Sequence, residues 1–128
     1  MSGAVEDAVL CVEPGPIAAP VLARVIGMLA ARVDFSVDRL NDTVLVADAL
    51  AAHTGGHTVG GNVRVAIATG ERTLALHVGP LVPGGGRGLL RTDILPDIGS
   101  VLDRLADEIT VRTADDGEYL TIRMTSSA

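Results

Sequence analysis

Asp48 is the residue of this 128-residue chain whose sequence surroundings most suggest chemistry. It interrupts the apolar run 44–52, VLVADALAA, and could act as a general base toward a substrate hydroxyl if a metal ion lay nearby. On a helix of about 100° per residue, Asp48 lies roughly 80–140° from the polar face that carries Asp38, Asp42 and His53. Two interpretations stay open: an acid at the helix edge that reaches water, or a carboxylate that faces a cavity.

The glycine cluster 84–88, GGGRG, could bind a phosphate group. Its backbone N–H groups can approach an anion closely, and Arg87 would add positive charge. However, the cluster is not followed by the lysine–serine/threonine pair of a P-loop. We therefore favour the interpretation of residues 79–88 as an irregular, mobile loop.

The other reactive side chains predict no site. His53, His57 and His77 could together hold zinc, but no spacing in the sequence makes them converge, so we expect solvated or capping histidines and no metal site. Cys11 lies in an apolar stretch without positive neighbours and is predicted to be part of the core. Because a single cysteine cannot form an internal disulfide, a cytoplasmic location is the default expectation.

Composition and charge argue against several classes of protein. The formal net charge is −6, with 10 basic residues (all arginine) against 16 acidic ones, which counts against direct binding to nucleic acid. No apolar run reaches the roughly 18 residues that span a bilayer, and acids stand near the N-terminus where a signal peptide has a basic region. The length and the 48% hydrophobic content predict one globular domain over residues 1–128.

Two helices near the start of the chain must position Asp48. Residues 8–12 predict a first strand, and the apolar spacing that follows predicts a helix ending near residue 32. A second helix is predicted over residues 35–53, with Ser36 as its N-cap. Its buried stripe is expected to consist of Leu40, Val44, Ala47 and Ala51.

Two hairpins and a third helix complete the predicted order. Alternating apolar residues predict strands at 63–67 and 74–78, and again at 109–113 and 119–124. Between the two pairs, residues 93–108 predict a helix. Because hairpins need antiparallel pairing, we predict an α+β protein: a two-layer sandwich with a mixed, mostly antiparallel sheet and helices on one face.

This order and two local sequences resemble the anti-sigma factor serine kinases, the RsbW-like branch of the GHKL (histidine-kinase-like) ATPases. Residues 42–53, DTVLVADALAAH, are similar to the family's N-box helix, and residues 98–124 are similar to its last helix and hairpin. Arg24 stands where the family often has an arginine on its first helix. The resemblance implies the Bergerat fold of these ATPases, a serine/threonine kinase that uses ATP and Mg²⁺, and a homodimer.

The nucleotide motifs of this chain depart from the family pattern. Asp48 takes the place of the N-box glutamate, which is the implied catalytic and nucleotide-binding acid, and Ala52 replaces the asparagine that binds Mg²⁺. Gly79 stands where an aspartate recognises adenine. The family's flexible ATP lid corresponds to the glycine cluster of Gly84, Gly85, Gly86, Arg87 and Gly88.

Three hypotheses for function follow. The first is a regulatory protein that binds a sigma factor and/or an anti-anti-sigma (STAS-type) partner, with a degenerate nucleotide site and impaired or absent kinase activity. The second is an active ATP-dependent serine kinase in which Asp48 and backbone groups replace the missing ligands. The third is a GHKL-shaped binding module with a different partner. For the first hypothesis, the acids expected to meet a basic sigma-factor helix are Asp38, Asp42, Asp103 and Asp107.

Overall fold

Helices and strands follow one another in nearly the predicted order. The computed structural model describes residues 6–92, 94–95 and 99–126. The elements are β1 (Ala8–Val12), α1 (Ala18–Arg32), α2 (Val37–His53), a 3₁₀ turn (Thr54–Gly56), β2 (Val63–Gly70), β3 (Thr73–Leu81), α3 (Gly85–Thr92), β4 (Ile94–Leu95), β5 (Gly99–Ser100), α4 (Val101–Leu105), β6 (Glu108–Ala114) and β7 (Gly117–Thr125). In the described part of the chain, no helix has the length and apolar character that a membrane span requires.

The main sheet has five strands in the order β1-β2-β3-β7-β6, and each neighbouring pair is antiparallel. The short strands β4 and β5 pair with each other. Alternate residues of each strand face the helices: on β7, Leu120 and Ile122 are buried, whereas Tyr119 and Thr121 are half-buried. We call the side that packs on α1 and α2 the covered face and the other side the open face. The predicted α+β architecture is confirmed, but among the described strands the sheet is antiparallel throughout rather than mixed.

The buried side of α2 differs from the predicted stripe. Ser36 caps the helix as expected, because its Oγ accepts a hydrogen bond from the backbone N–H of Arg39 at 3.1 Å. Thr43 can be buried since its hydroxyl donates to the carbonyl of Leu40 at 2.6 Å, which leaves no polar group unpaired. The residues that face the core are Thr43, Val46, Ala47 and Leu50, whereas Val44 is exposed and Leu40 and Ala51 are half-buried.

Besides the stripe of α2, three further predictions are wrong. Residues 79–88 are not an irregular loop, because β3 continues to Leu81 and α3 begins at Gly85. Within the described residues, the helix predicted over 93–108 is limited to α4. Ile94–Leu95 and Gly99–Ser100 pair as strands before it, and the backbone N–H of Asp107 after it pairs with β7 through the carbonyl of Arg123. Residues 93 and 96–98 of that prediction lie outside the described residues. Cys11 is exposed rather than part of the core, because it lies on the open face of the edge strand β1.

Candidate functional site

Asp48 lies on the side of α2 that faces away from the core. At 100° per residue it belongs to an arc opposite Thr43, Val46 and Leu50, and the side chains on this arc are exposed. We call the arc the outward face of α2; it consists of Val37, Asn41, Val44, Leu45, Asp48 and Ala52. Asp48 therefore reaches solvent, as the first of its two interpretations predicts. Its assignment as a catalytic residue stays a prediction.

The N-terminus of α3 is occupied by a carboxylate of the chain itself. The backbone N–H of Gly84 donates to Glu118 Oε2 at 2.8 Å, and that of Gly86 donates to Glu118 Oε1 at 3.1 Å. These two bonds hold the pKa of the Glu118 carboxyl below its usual value, and Arg87 adds a weaker attraction. A negative group is favourable at the positive end of a helix. Glu118 thus takes the place that a phosphate would have if the glycine cluster bound one.

Two further N–H groups of the glycine cluster, those of Gly85 and Gly88, are also paired within the chain. Gly85 donates to the carbonyl of Val82 at 2.7 Å, and Gly88 donates to the carbonyl of Gly84 at 2.9 Å, the first full turn of α3. Arg87 is exposed. The amides of Gly84, Gly85, Gly86 and Gly88, which could have bound an anion in a loop, are therefore used to build and anchor a helix.

The glycines of α3 allow it to pack closely on its neighbours. A Cβ atom at Gly86 would lie 2.8 Å from Val111 Cγ1, and one at Gly88 would lie 2.9 Å from Cε1 of the His57 ring. Contacts this short do not occur, so a side chain at either position would displace either α3 or the facing side chain of Val111 or His57. The close approach explains why the chain accepts glycines in a helix, where each is unfavourable by about 1 kcal/mol relative to alanine.

Close packing also requires a glycine at position 79. A Cβ atom there would lie 2.7 Å from Tyr119 Cδ2 and 2.7 Å from the carbonyl oxygen of Glu118, and its φ of +155° favours glycine. A side chain at this position would meet Tyr119 on the open face and would not point toward α2. The position therefore offers no room for an adenine-binding side chain.

The residues present do not fit a Mg²⁺-nucleotide in the manner that the resemblance implies. Ala52 has no ligand atom, the backbone at Gly79 is covered by Tyr119, and the amides of α3 are bonded to Glu118 and to their own helix. The three histidines do not converge either. Among the described residues, no group of three or more His, Cys, Asp and Glu side chains could hold a metal ion.

Arg39 makes a second polar cluster, which joins the start of α2 to the end of β7. Its Nε donates to the carbonyl of Thr125 at 2.9 Å, and its two terminal nitrogens donate to Asp42 at 3.0 Å and Asp107 at 2.9 Å. Asp107 also accepts hydrogen bonds from the N–H and the hydroxyl of Thr125, at 2.6 and 2.8 Å. Two of the acids predicted to meet a partner, Asp42 and Asp107, are thus paired inside the chain; Asp38 and Asp103 are exposed.

The cluster around Arg39 controls the ionisation of Asp107. Burial raises the pKa of the Asp107 carboxyl, but the hydrogen bonds from Thr125 and the attraction of Arg39 outweigh burial and hold this pKa below its usual value. Asp107 is therefore ionised at neutral pH, and it acts as a structural anchor between α4, β7 and α2.

Sequence reasoning missed Glu118 and Arg39 because their partners are far away in the chain. Glu118 is 34 residues from Gly84, and Arg39 is 68 residues from Asp107 and 86 from Thr125. One signal was available for Glu118: it has the same parity in the strand as the apolar Leu120, which predicts that it faces the helices. Nothing local indicates which helix it meets.

Comparison with known proteins identifies no family for this chain. No protein-family model matches it, and no curated protein is significantly similar to it. The likeness to anti-sigma factor kinases therefore rests on the order of the elements and on the motifs quoted above.

Proposed function

We propose that this chain is a regulatory protein of the anti-sigma-factor kind that binds its protein partner without a nucleotide. The partner that the resemblance implies is a sigma factor, an anti-anti-sigma (STAS-type) protein, or both. The order of a strand, two helices, a hairpin, a helical segment and a second hairpin, with helices on one side of an antiparallel sheet, is compatible with a GHKL domain and supports the proposal.

The outward face of α2 is the observation that carries the proposal. Val37 is 75% exposed, Leu45 is 50% exposed and Val44 is 41% exposed, and all three lie on one side of one helix. Aliphatic side chains grouped in this way leave apolar surface in water, which is the usual mark of a protein interface. An apolar helix of the partner, packed along α2, would bury them.

Acidic residues give this surface a preferred partner. Asp48 lies within the outward face of α2, and Asp38 is exposed on the same first turns of the helix. A partner helix whose apolar side is flanked by arginine or lysine would complement these charges, and charge complementarity raises specificity and association rate. Under this proposal Asp48 recognises the partner and has no catalytic role.

The nucleotide-independent part of the proposal is supported by the geometry around α3. Glu118 supplies the negative charge at the N-terminus of α3, and Tyr119 covers Gly79. A chain with these contacts holds its ordered structure without bound phosphate. Binding of the partner should accordingly be insensitive to Mg-ATP.

Isothermal titration calorimetry with the purified sigma factors of the organism tests the proposal. We expect one of them to bind with equal affinity in the presence and absence of Mg-ATP, and Mg-ATP alone to give no heat. Val44→Asp and Leu45→Asp should each weaken the complex by about 50-fold or more, because each places a charge in the buried centre of the interface.

The matched control is Val9→Asp, which introduces the same charge at a valine that is 47% exposed on the open face. It should bind as the unmodified chain does. Equal binding by Val44→Asp would show that the outward face of α2 is not the interface. Binding of Mg-ATP that is lost in Asp48→Asn would instead favour the active kinase.

A further inference from the structure

The open face of the sheet contains a cavity that the proposed function does not use. Its volume is about 260 Å³, and it is lined by Glu6, Arg64, Ala66, His77, Arg112 and Tyr119. We call it the open-face cavity. It lies on the opposite side of the sheet from α2, so an activity here is independent of the partner surface described above.

Strand register brings these side chains together. His77 of β3 is opposite Ala66 of β2, and Arg64 precedes Ala66 by two residues on the same side of β2. Arg112 of β6 is opposite Tyr119 of β7. Four strands thus contribute side chains to one cavity. Ala66 has a short side chain and forms the bottom of the cavity, and the longer side chains around it form the walls.

The two arginines of the cavity differ from Arg39 in having no acidic partner. Among the described residues, neither Arg64 nor Arg112 forms a salt bridge within 4.0 Å, whereas Arg39 forms two. In a chain with a net charge of −6, two guanidinium groups beside the same cavity and without an acidic partner are unexpected. Each still has several N–H donors to offer, and a guanidinium group binds carboxylate and phosphate oxygens well.

Tyr119 holds Arg112 in place. The Arg112 Cζ atom lies 5.0 Å from the centre of the Tyr119 ring, a cation–π distance. The ring is itself fixed, because its hydroxyl donates to Asp116 at 2.7 Å and its edge packs on Gly79. The guanidinium of Arg112 is therefore oriented before any ligand arrives, which lowers the entropy that binding would cost.

His77 adds a neutral polar group to the wall. Its Nδ1 lies 3.0 Å from the hydroxyl oxygen of Thr121, and the residue is half-buried. Burial lowers the pKa of the His77 imidazole, and Arg112 lowers it further, while Glu6 acts in the opposite direction. The imidazole is consequently neutral at pH 7, and the positive charge of the cavity comes from its arginines.

We propose that the open-face cavity binds a single oxyanion group, a carboxylate or a phosphate, that contacts both Arg64 and Arg112. Such a ligand gives the two guanidinium groups an acidic partner within ion-pair distance, which the described residues do not provide. Glu6, which also lines the cavity, opposes the ligand by charge repulsion. Because Glu6 opposes binding, its removal should strengthen binding while removal of either arginine weakens it.

Proton NMR of the histidine rings tests the proposal directly. Inorganic phosphate and, separately, succinate are titrated into the full chain at constant ionic strength, with chloride as the balancing anion. The ring signals of His77 should shift and saturate, whereas those of His53 and His57, which lie outside the cavity, should not. A bound anion should also raise the measured pKa of His77 by about half a unit. The stronger of the two titrations identifies whether the site prefers phosphate or carboxylate.

Substitutions separate a site from general attraction of anions. Arg112→Ala and Arg64→Ala should each weaken binding about tenfold, and Glu6→Gln should tighten it about threefold. The control is Arg24→Ala, which removes the same charge from an exposed position on α1. A linear shift of His77 without saturation, or an equal loss in Arg24→Ala and Arg112→Ala, would overturn the proposal. The Gln variant at Glu6 keeps the outcome informative even if an arginine variant is poorly folded.

Discussion

Two neighbouring residues of β7, Glu118 and Tyr119, point to opposite faces of the sheet and show how differently the two faces use their polar groups. On the covered face, Glu118 accepts two hydrogen bonds from the amides of α3. On the open face, Tyr119 supports an arginine that has no acidic partner among the described residues.

The arginines near the two faces of the sheet also differ in whether they have partners within the chain. Arg39, at the edge of the covered face, donates to a carbonyl and to two carboxylates and is 17% exposed. Arg64 and Arg112 face a cavity instead. Polar groups that are already paired hold the fold together, whereas groups without a partner are available to a ligand. For charged residues of one type, the partners within the chain should therefore be determined before a binding function is assigned.

The largest effect on stability is expected at Gly79, which lies in β3 against both Glu118 and Tyr119. Gly79→Ala should lower the free energy of unfolding by about 3 kcal/mol, because the new Cβ would overlap Tyr119 and the φ angle disfavours alanine. Urea unfolding followed by circular dichroism measures the change. Gly27→Ala, in the middle of α1 with no atom within 4 Å of its Cβ position, is the matched control and should be neutral or slightly stabilising. Similar losses in both variants would refute the packing argument.

A smaller but clear loss is expected at Arg39. Arg39→Ala should lower the free energy of unfolding by about 2 kcal/mol, because it leaves the paired carboxylate of Asp107 without its cation. Arg39→Lys should restore little of the loss, since an ammonium group cannot reach three acceptors as a guanidinium does. Arg24→Ala, an exposed arginine on α1, should change stability by less than about 0.5 kcal/mol. Equal effects of Arg39→Ala and Arg24→Ala would show that the Arg39 cluster does not stabilise the fold.

The same cluster predicts a pH dependence. The folded-state pKa of Asp107 is below its usual value of 3.8, so the contribution of Asp107 to stability is complete above that value. It is lost as pH falls through the lower folded-state pKa. Urea unfolding between pH 6 and pH 2 should therefore show a decline that is smaller in Arg39→Ala than in the unmodified chain.

Much of the fold is predictable from the sequence because local patterns determine it. Strand β1 has the predicted bounds, and α2 begins after the predicted cap Ser36. Helical geometry separates Asp48 from the polar face of α2 but leaves it beside Val44 of the predicted buried stripe, so it does not decide between an edge position and a cavity. The sequence does not predict the burial of Thr43, because threonine is a polar residue. It can be buried because its hydroxyl donates to a carbonyl of its own helix.

The candidate sites are much less predictable, because they depend on contacts between distant residues. A run of glycines ordinarily predicts a loop, yet here Glu118 anchors it as the helix α3. The open-face cavity needs the register of four strands, which no single strand's alternation provides. The sequence predicts a solvated or capping role for His77 and gives no reason to group it with Arg64 and Arg112.

The smallest expected effect is local and concerns the carboxylate that anchors α3. Glu118→Gln keeps the shape of the side chain but removes its charge, so the amides of Gly84 and Gly86 should exchange hydrogen about tenfold faster. Glu108→Gln is the control, because Glu108 is more than half exposed and its contact with Arg123 is long, at 3.7 Å. The folded-state pKa of Glu118 is below its usual value of 4.5, so the anchoring is present above that value and is lost as pH falls through the lower one.

This variant also separates the two faces of the sheet. Since Glu118 points to the covered face, Glu118→Gln should leave the NMR signals of His77 and the binding of phosphate unchanged while α3 loosens. If the ring signals of His77 moved together with the exchange of Gly84 and Gly86, the two faces would be coupled through β7, and the open-face cavity would then be under the control of α3. If neither changed, the amides would be protected by the helix alone, and Glu118 would not anchor it.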